Sequence, residues 1–180
     1  MNIIQNILID MFMSDKMFYG YLLQQMKFQQ NDKIDTLCIR GHDGQITMMY
    51  NKAYLESLKP EERIAVIEHE ILHVANNHSG RFKYRELDEF QGPYLVGTDA
   101  AINHVITGLP KGLITKEFVE KQLKSEGIIT GPIEPNREAE YYVSLLQKLV
   151  KKLKDEGKIK GVKGYSTCHH FDETDEEKGR

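Results

Sequence analysis

From Pro60 to about Asn77, apolar side chains recur at helical spacing as Ile64, Ile67, Ile71 and then Val74 or Ala75. Proline is tolerated in the first turn of a helix, and Glu61 and Glu62 suit its positive end. Gly80 follows as a stop. The pattern predicts a long helix held by packing along one stripe, a rigid platform for anything it carries. It carries HEILH, His69 to His73. Residues four apart share a helix face, so His69 and His73 aim at a common point and Glu70 sits one step round. Two imidazoles and a neighbouring carboxylate so arranged are a metallohydrolase signature: the histidines bind a metal, and the glutamate reaches a water that the metal activates. The plainer alternative is a helix with two surface or capping histidines.

Neutral imidazoles suit zinc, and a catalytic zinc usually has three protein ligands plus water. The third must come from elsewhere in the chain. His78 lies nine residues beyond His69, half a turn round a continuous helix, and serves only if the helix breaks after His73. The compact zincin pattern is not met, because Asn76 stands where it has glycine and Ser79 where it has a third histidine. Asp99 is preferred. It is expected at the start of a helix beginning at Thr98 or Asp99, and Asn103 four residues on shares its face and could hydrogen-bond a ligand or substrate. The alternative for Asp99 is a helix N-cap; His104 reads as a core or surface histidine.

The remainder supports an α+β chain that is mostly helical. Residues 3 to about 28 read as one or two helices, with Ile4, Ile7, Leu8, Met11, Phe18, Leu22 and Met26 inward and a break near Ser14-Asp15. IDTLCIR, GHDG and QITMMYN predict a β-hairpin over residues 34–50, and Asn51 to Leu58 a short helix. Residues 80–97 read as an irregular crossing segment. Helices are expected over Thr115 to Ser125 and Glu138 to Glu156, the latter with Tyr142, Leu145, Leu146, Leu149 and Leu153 inward and Gly157 closing it. A chain of 180 residues with 40% hydrophobic side chains can bury one core, so residues 1–164 are expected to form one domain and 165–180 an acidic tail.

Charge and cysteine usage narrow the partners. The 24 basic and 27 acidic side chains nearly cancel, so no overall field recommends nucleic acid or an anionic membrane. The Lys148 to Lys163 run also carries acids and reads as the solvated end of a helix. Cys38 and Cys168 are distant and in no CxxC pair, which suits a reducing compartment. The apolar amino end is interrupted by Gln5, Asn6, Asp10, Asp15 and Lys16, so neither a signal peptide nor a membrane span is expected. A cytoplasmic protein is the expectation.

The stretch ITMMYNKAYLESLKPEERIAVIEHEILHVANNHSGR, followed by GTDAAINHVITGLP, resembles the zincin-like metallopeptidase domain that precedes a von Willebrand A-like domain in many bacterial and phage proteins. The shared features are the hairpin leading into a short helix, the HExxH helix ending in a histidine and an arginine, and the DxAIN segment before Leu-Pro. The resemblance is clear over about residues 45–110 and looser over the flanks, where EAEYYVSLLQK is similar to a helix after the metal site. It implies a zincin-like fold with a small sheet bordering the active-site helix. It also implies zinc on His69, His73 and Asp99 with Glu70 as base, the set that geometry prefers. No room remains before residue 180 for the von Willebrand-like domain, so a short, phage-type version or the metallopeptidase part alone is expected.

These assignments predict zinc-dependent hydrolysis of peptide bonds in a peptide or protein substrate, with Glu70 taking the water's proton and passing it to the leaving amine. A strand of the 34–50 hairpin, QITMMYN before the other, is expected to border the cleft and pair with extended substrate. Tyr141, Tyr142, Tyr165, His169 and His170 are candidate donors to the developing oxyanion, and His169-His170 could act as an inhibitory fourth ligand. The competing class is a non-catalytic zinc-containing module that binds a host or partner protein. A partner protein supplying regulation fits either class.

Overall fold

The computed structural model describes residues 2–81 and 88–159, so Tyr165 and the His169-His170 pair lie outside the described residues. Two compact units are present, and the boundary between them falls inside one helix, between Ile71 and Leu72.

The first unit comprises residues 2–71 with Gly108–Pro110. Helix α1, Ile3–Phe12, starts in a capping box: the Asn2 side chain accepts from the Ile4 amide and Gln5 accepts from the Asn2 amide. It buries Ile3, Ile4, Ile7 and Met11. The break expected near Ser14-Asp15 is present, with the Ser14 hydroxyl donating to the Met11 carbonyl and α2 starting at Met17. The cap itself differs, because Lys16 occupies the N-cap of α2, Met17–Gln24, without a side-chain cap bond. Phe18, expected inward, is 65% exposed, and Gly20 and Leu23 are buried instead, while Met26 is buried as expected.

A strand follows where helix was expected to continue. β1, Lys27–Gln30, pairs in parallel with β3, Gln45–Tyr50, which is also the antiparallel partner of β2, Leu37–His42. The β2–β3 hairpin is the expected one. Its two turn residues, Asp43 and Gly44, have φ of +47° and +71°, the paired left-handed conformation that matches strand twist in a tight hairpin. The order β1-β3-β2 corrects one expectation: β3, the QITMMY strand, lies in the middle with both edges occupied, so it has no edge to offer an extended substrate. Cys38 is buried in β2, where a thiol packs as a small hydrophobe.

Helix α3, Lys52–Ser57, is capped by the Asn51 side chain, which accepts from the Tyr54 amide at 3.1 Å. Helix α4, Pro60–Ala75, then begins with Glu62 accepting from the Lys59 amide at 3.0 Å. Arg63 donates to the Leu55 and Glu56 carbonyls, satisfying acceptors that the end of α3 would otherwise leave bare. Every residue from Ala65 to Ile71 is buried. The middle of α4 is therefore enclosed all round, more fully than its apolar stripe suggests. Its charged residues need partners, and the Lys16 ammonium supplies one, lying 3.0 Å from Oε1 and 2.9 Å from Oε2 of Glu68.

The second unit takes up the chain from Leu72 to Thr107 and again from Lys111. It contains α5, His78–Arg81; α6, Asp88–Asn103; α7, Lys116–Ser125; and α8, Ala139–Asp155. Its core gathers Ala100, Val119, Leu123, Ile133, Tyr142, Leu145, Leu146 and Leu149 from α6, α7, α8 and the loop between the last two. The predicted α7 and α8 are present, with Thr115 capping the first and Gly157, at φ +68°, following the second.

The segment before Thr98 is a correction. Helix α6 starts at Asp88, not at Thr98 or Asp99, and Pro93 lies inside it. Gly92, Pro93 and Gly97 read as breakers, yet Gly97 serves helix packing. A Cβ there would come within 2.6 Å of Val143 Cγ2 and 2.9 Å of the Val143 backbone nitrogen, so only glycine lets α6 lie this close to α8. Among the described residues no helix is long and apolar enough to cross a membrane.

Candidate metal centre

One face of α4 places His69 and His73 a turn apart, and α6 supplies Asp99. All three residues are buried, and one ligand atom from each can be chosen so that the set lies within 4.8 Å. Among the described residues this is the one such group of His, Cys, Asp and Glu side chains. His73 Nε2 stands 3.3 Å from Asp99 Oδ1. Around a tetrahedral zinc with bonds of about 2.0–2.1 Å, donor atoms are about 3.3–3.4 Å apart, so the His73–Asp99 spacing matches that of two donors to one cation. Two imidazole nitrogens and one carboxylate oxygen suit zinc and other divalent first-row metals alike. The residues fit a metal.

Asp99 is not an N-cap: it lies in the later part of α6, four residues before the end at Asn103. The backbone beneath it is firm. Thr98, fully buried, returns its hydroxyl to the Tyr94 and Leu95 carbonyls at 2.9 and 3.1 Å. Asn103 shares the Asp99 face and donates from Nδ2 to the Ile114 carbonyl at 2.7 Å, which fixes the chain leading into α7. His104 bonds through Nε2 to Asn136 at 3.0 Å, away from the donor set.

Glu70 is buried on α4 directly after His69. Burial, and then the charges of Glu70 and Glu62, raise the Tyr54 hydroxyl above its ordinary value, so Tyr54 is a neutral donor in the field of Glu70. Tyr142 occupies the core of the second unit, where burial raises its hydroxyl and the Arg137 backbone amide offsets part of that rise. Tyr141 packs edge-on to Tyr142 and lies beneath the Arg137 guanidinium.

His78 is the residue that helical geometry turned away and the structure brings back. Helix α4 stops at Ala75, and Asn77 takes φ +48°, a left-handed conformation that asparagine tolerates better than most residues. The reversal starts α5 at His78 and turns its ring inward, so that His78 Nδ1 lies 3.0 Å from His73 Nδ1 with the rings edge-to-face. The signal was available in the Asn76-Asn77 pair before His78, a sequence well suited to ending a helix.

The sequence matches the family described as "Putative metallopeptidase domain" over residues 8–179. No curated protein and no solved structure matches the chain. Because the match spans all but the extreme ends of the sequence and takes in the whole donor set, the chain belongs to this metallopeptidase-domain family.

Proposed function

We propose that the chain is a zincin-like, zinc-dependent peptidase in which His69, His73 and Asp99 hold the metal and Glu70 is the general base. The observation that carries this reading is the buried His-His-Asp group on α4 and α6 with a glutamate next to its first histidine. Three protein donors are the number typical of a catalytic zinc, whereas a structural zinc usually takes four. A bound zinc supplies an electrophile for the scissile carbonyl and acidifies water near neutral pH. In this reading Glu70 would accept the proton of the attacking water and return it to the leaving amine. Tyr54, neutral beside Glu70, can donate a hydrogen bond to charge that develops on the substrate oxygen.

Among the described residues β1 and β2 are the edges of the sheet, and either could pair with an extended substrate. A cytoplasmic setting suits the cysteine usage, with a peptide or protein as the substrate. The test is cleavage of a mixed peptide library by purified protein, before and after metal removal. Cleavage that a chelator abolishes and added Zn2+ restores is the expected result. A protein that holds zinc and leaves every peptide intact would move the reading to a zinc-containing binding module.

A further inference from the structure

We infer that His78 is a positioning residue that sets the ring orientation and tautomer of His73, an inference that rests on the metal-centre reading above. The His73 ring has two nitrogens with different neighbours. Nε2 faces Asp99 at 3.3 Å, and Nδ1 faces Nδ1 of His78 at 3.0 Å. Between two neutral imidazoles, a contact of that length requires one nitrogen to carry hydrogen and the other to be bare. A metal on His73 needs a bare Nε2, which places the ring hydrogen on Nδ1. His73 Nδ1–H then donates to a bare His78 Nδ1, and His78 carries its own hydrogen on Nε2. The choice of nitrogen at the ligand is thus tied to the tautomer of a residue outside the His69-His73-Asp99 group.

The structure around His78 suits such a role. Its side chain is 2% exposed, so water does not compete for the bond. Arg81, one turn on in α5, grips both carboxylates near the start of α8: Nε and Nη2 reach Glu140 at 2.9 and 2.6 Å, and Nη2 also reaches Glu138 at 3.0 Å. Arg81 Nη1 turns back to the Asn76 carbonyl at 3.4 Å. The short helix is therefore pinned outside by Arg81 while His78 holds His73 within. Partners of metal-bound histidines are most often carboxylates or carbonyls. Here an imidazole takes that place.

The test compares Zn2+ affinity, by chelator competition, of the unmodified chain with His78→Leu and His78→Gln, and assigns the ring tautomers of the unmodified chain by 15N NMR with and without Zn2+. Leucine removes the acceptor, whereas glutamine retains an oxygen that can receive the His73 hydrogen. His78→Leu is expected to bind Zn2+ about 10- to 100-fold more weakly, with most of the loss recovered in His78→Gln. In the zinc-loaded chain the hydrogens are expected on His73 Nδ1 and His78 Nε2. A folded His78→Leu with unchanged affinity, or a zinc-loaded His73 bearing its hydrogen on Nε2, overturns the inference and leaves the metal centre intact. Absence of Zn2+ binding by the unmodified chain overturns both. If His78→Leu does not fold, the tautomer assignment alone decides.

Discussion

Glu70→Gln is expected to lower peptide cleavage by about 10²- to 10⁴-fold while leaving metal content unchanged. Glutamine has nearly the shape of glutamate and keeps an acceptor oxygen, but it cannot take up a proton at neutral pH. Glu70 is buried on the enclosed middle of α4, where the near-isosteric glutamine keeps the packing volume. It also removes one of the two carboxylate charges that act on Tyr54. The comparison needs initial rates on one peptide together with zinc content of both proteins. Retained zinc with a rate within a few-fold of the unmodified protein would remove Glu70 from the base role. Lost zinc would mean that Glu70 supports the donor set itself.

Lys16→Met is expected to destabilise the protein by about 3 kcal/mol, the lower end of the range for leaving a buried charge without its partner. Methionine keeps the aliphatic stem but removes the ammonium that bridges both oxygens of Glu68, a residue only 2% exposed. The Tyr19 hydroxyl also hydrogen-bonds Glu68, and burial followed by the Glu68 charge raises its pKa, so it remains a donor. One neutral donor does not replace the ammonium. In a chain of this size the loss corresponds to a fall in Tm of roughly 6–12 °C. Adding Glu68→Gln to Lys16→Met removes the unpaired charge and is expected to recover part of that fall. An unchanged Tm in Lys16→Met would show that the ion pair contributes nothing net, as surface pairs often do.

Legibility in the sequence followed physical cause. Helix α4 was legible because it combines a clear start with sustained apolar spacing, α8 because sustained apolar spacing ends at Gly157, and the hairpin because Asp43-Gly44 suits only a few turns. Strand β1 was not: Lys-Phe-Gln-Gln has little alternation, and its pairing with β3 is a long-range event. Helix α6 was hidden by Gly92, Pro93 and Gly97. Local propensity marks these as breakers, whereas Gly97 is small because Val143 lies against it. That His69, His73 and Asp99 come together was legible from spacing on α4 and from the chemistry of Asp99. Asp99 was placed on the wrong turn of its helix, which did not affect its ability to meet His73. His78 was excluded by assuming that α4 stayed straight through Asn77, and a single left-handed residue undid that assumption.

The most direct measurement is the zinc content and Zn2+ affinity of the purified protein beside the His69→Ala/His73→Ala double variant. The expected result is one equivalent of tightly held zinc in the unmodified protein and none in the folded double variant. Equal zinc in both, or none in either after reconstitution, would contradict the assignment of His69, His73 and Asp99 as a metal centre.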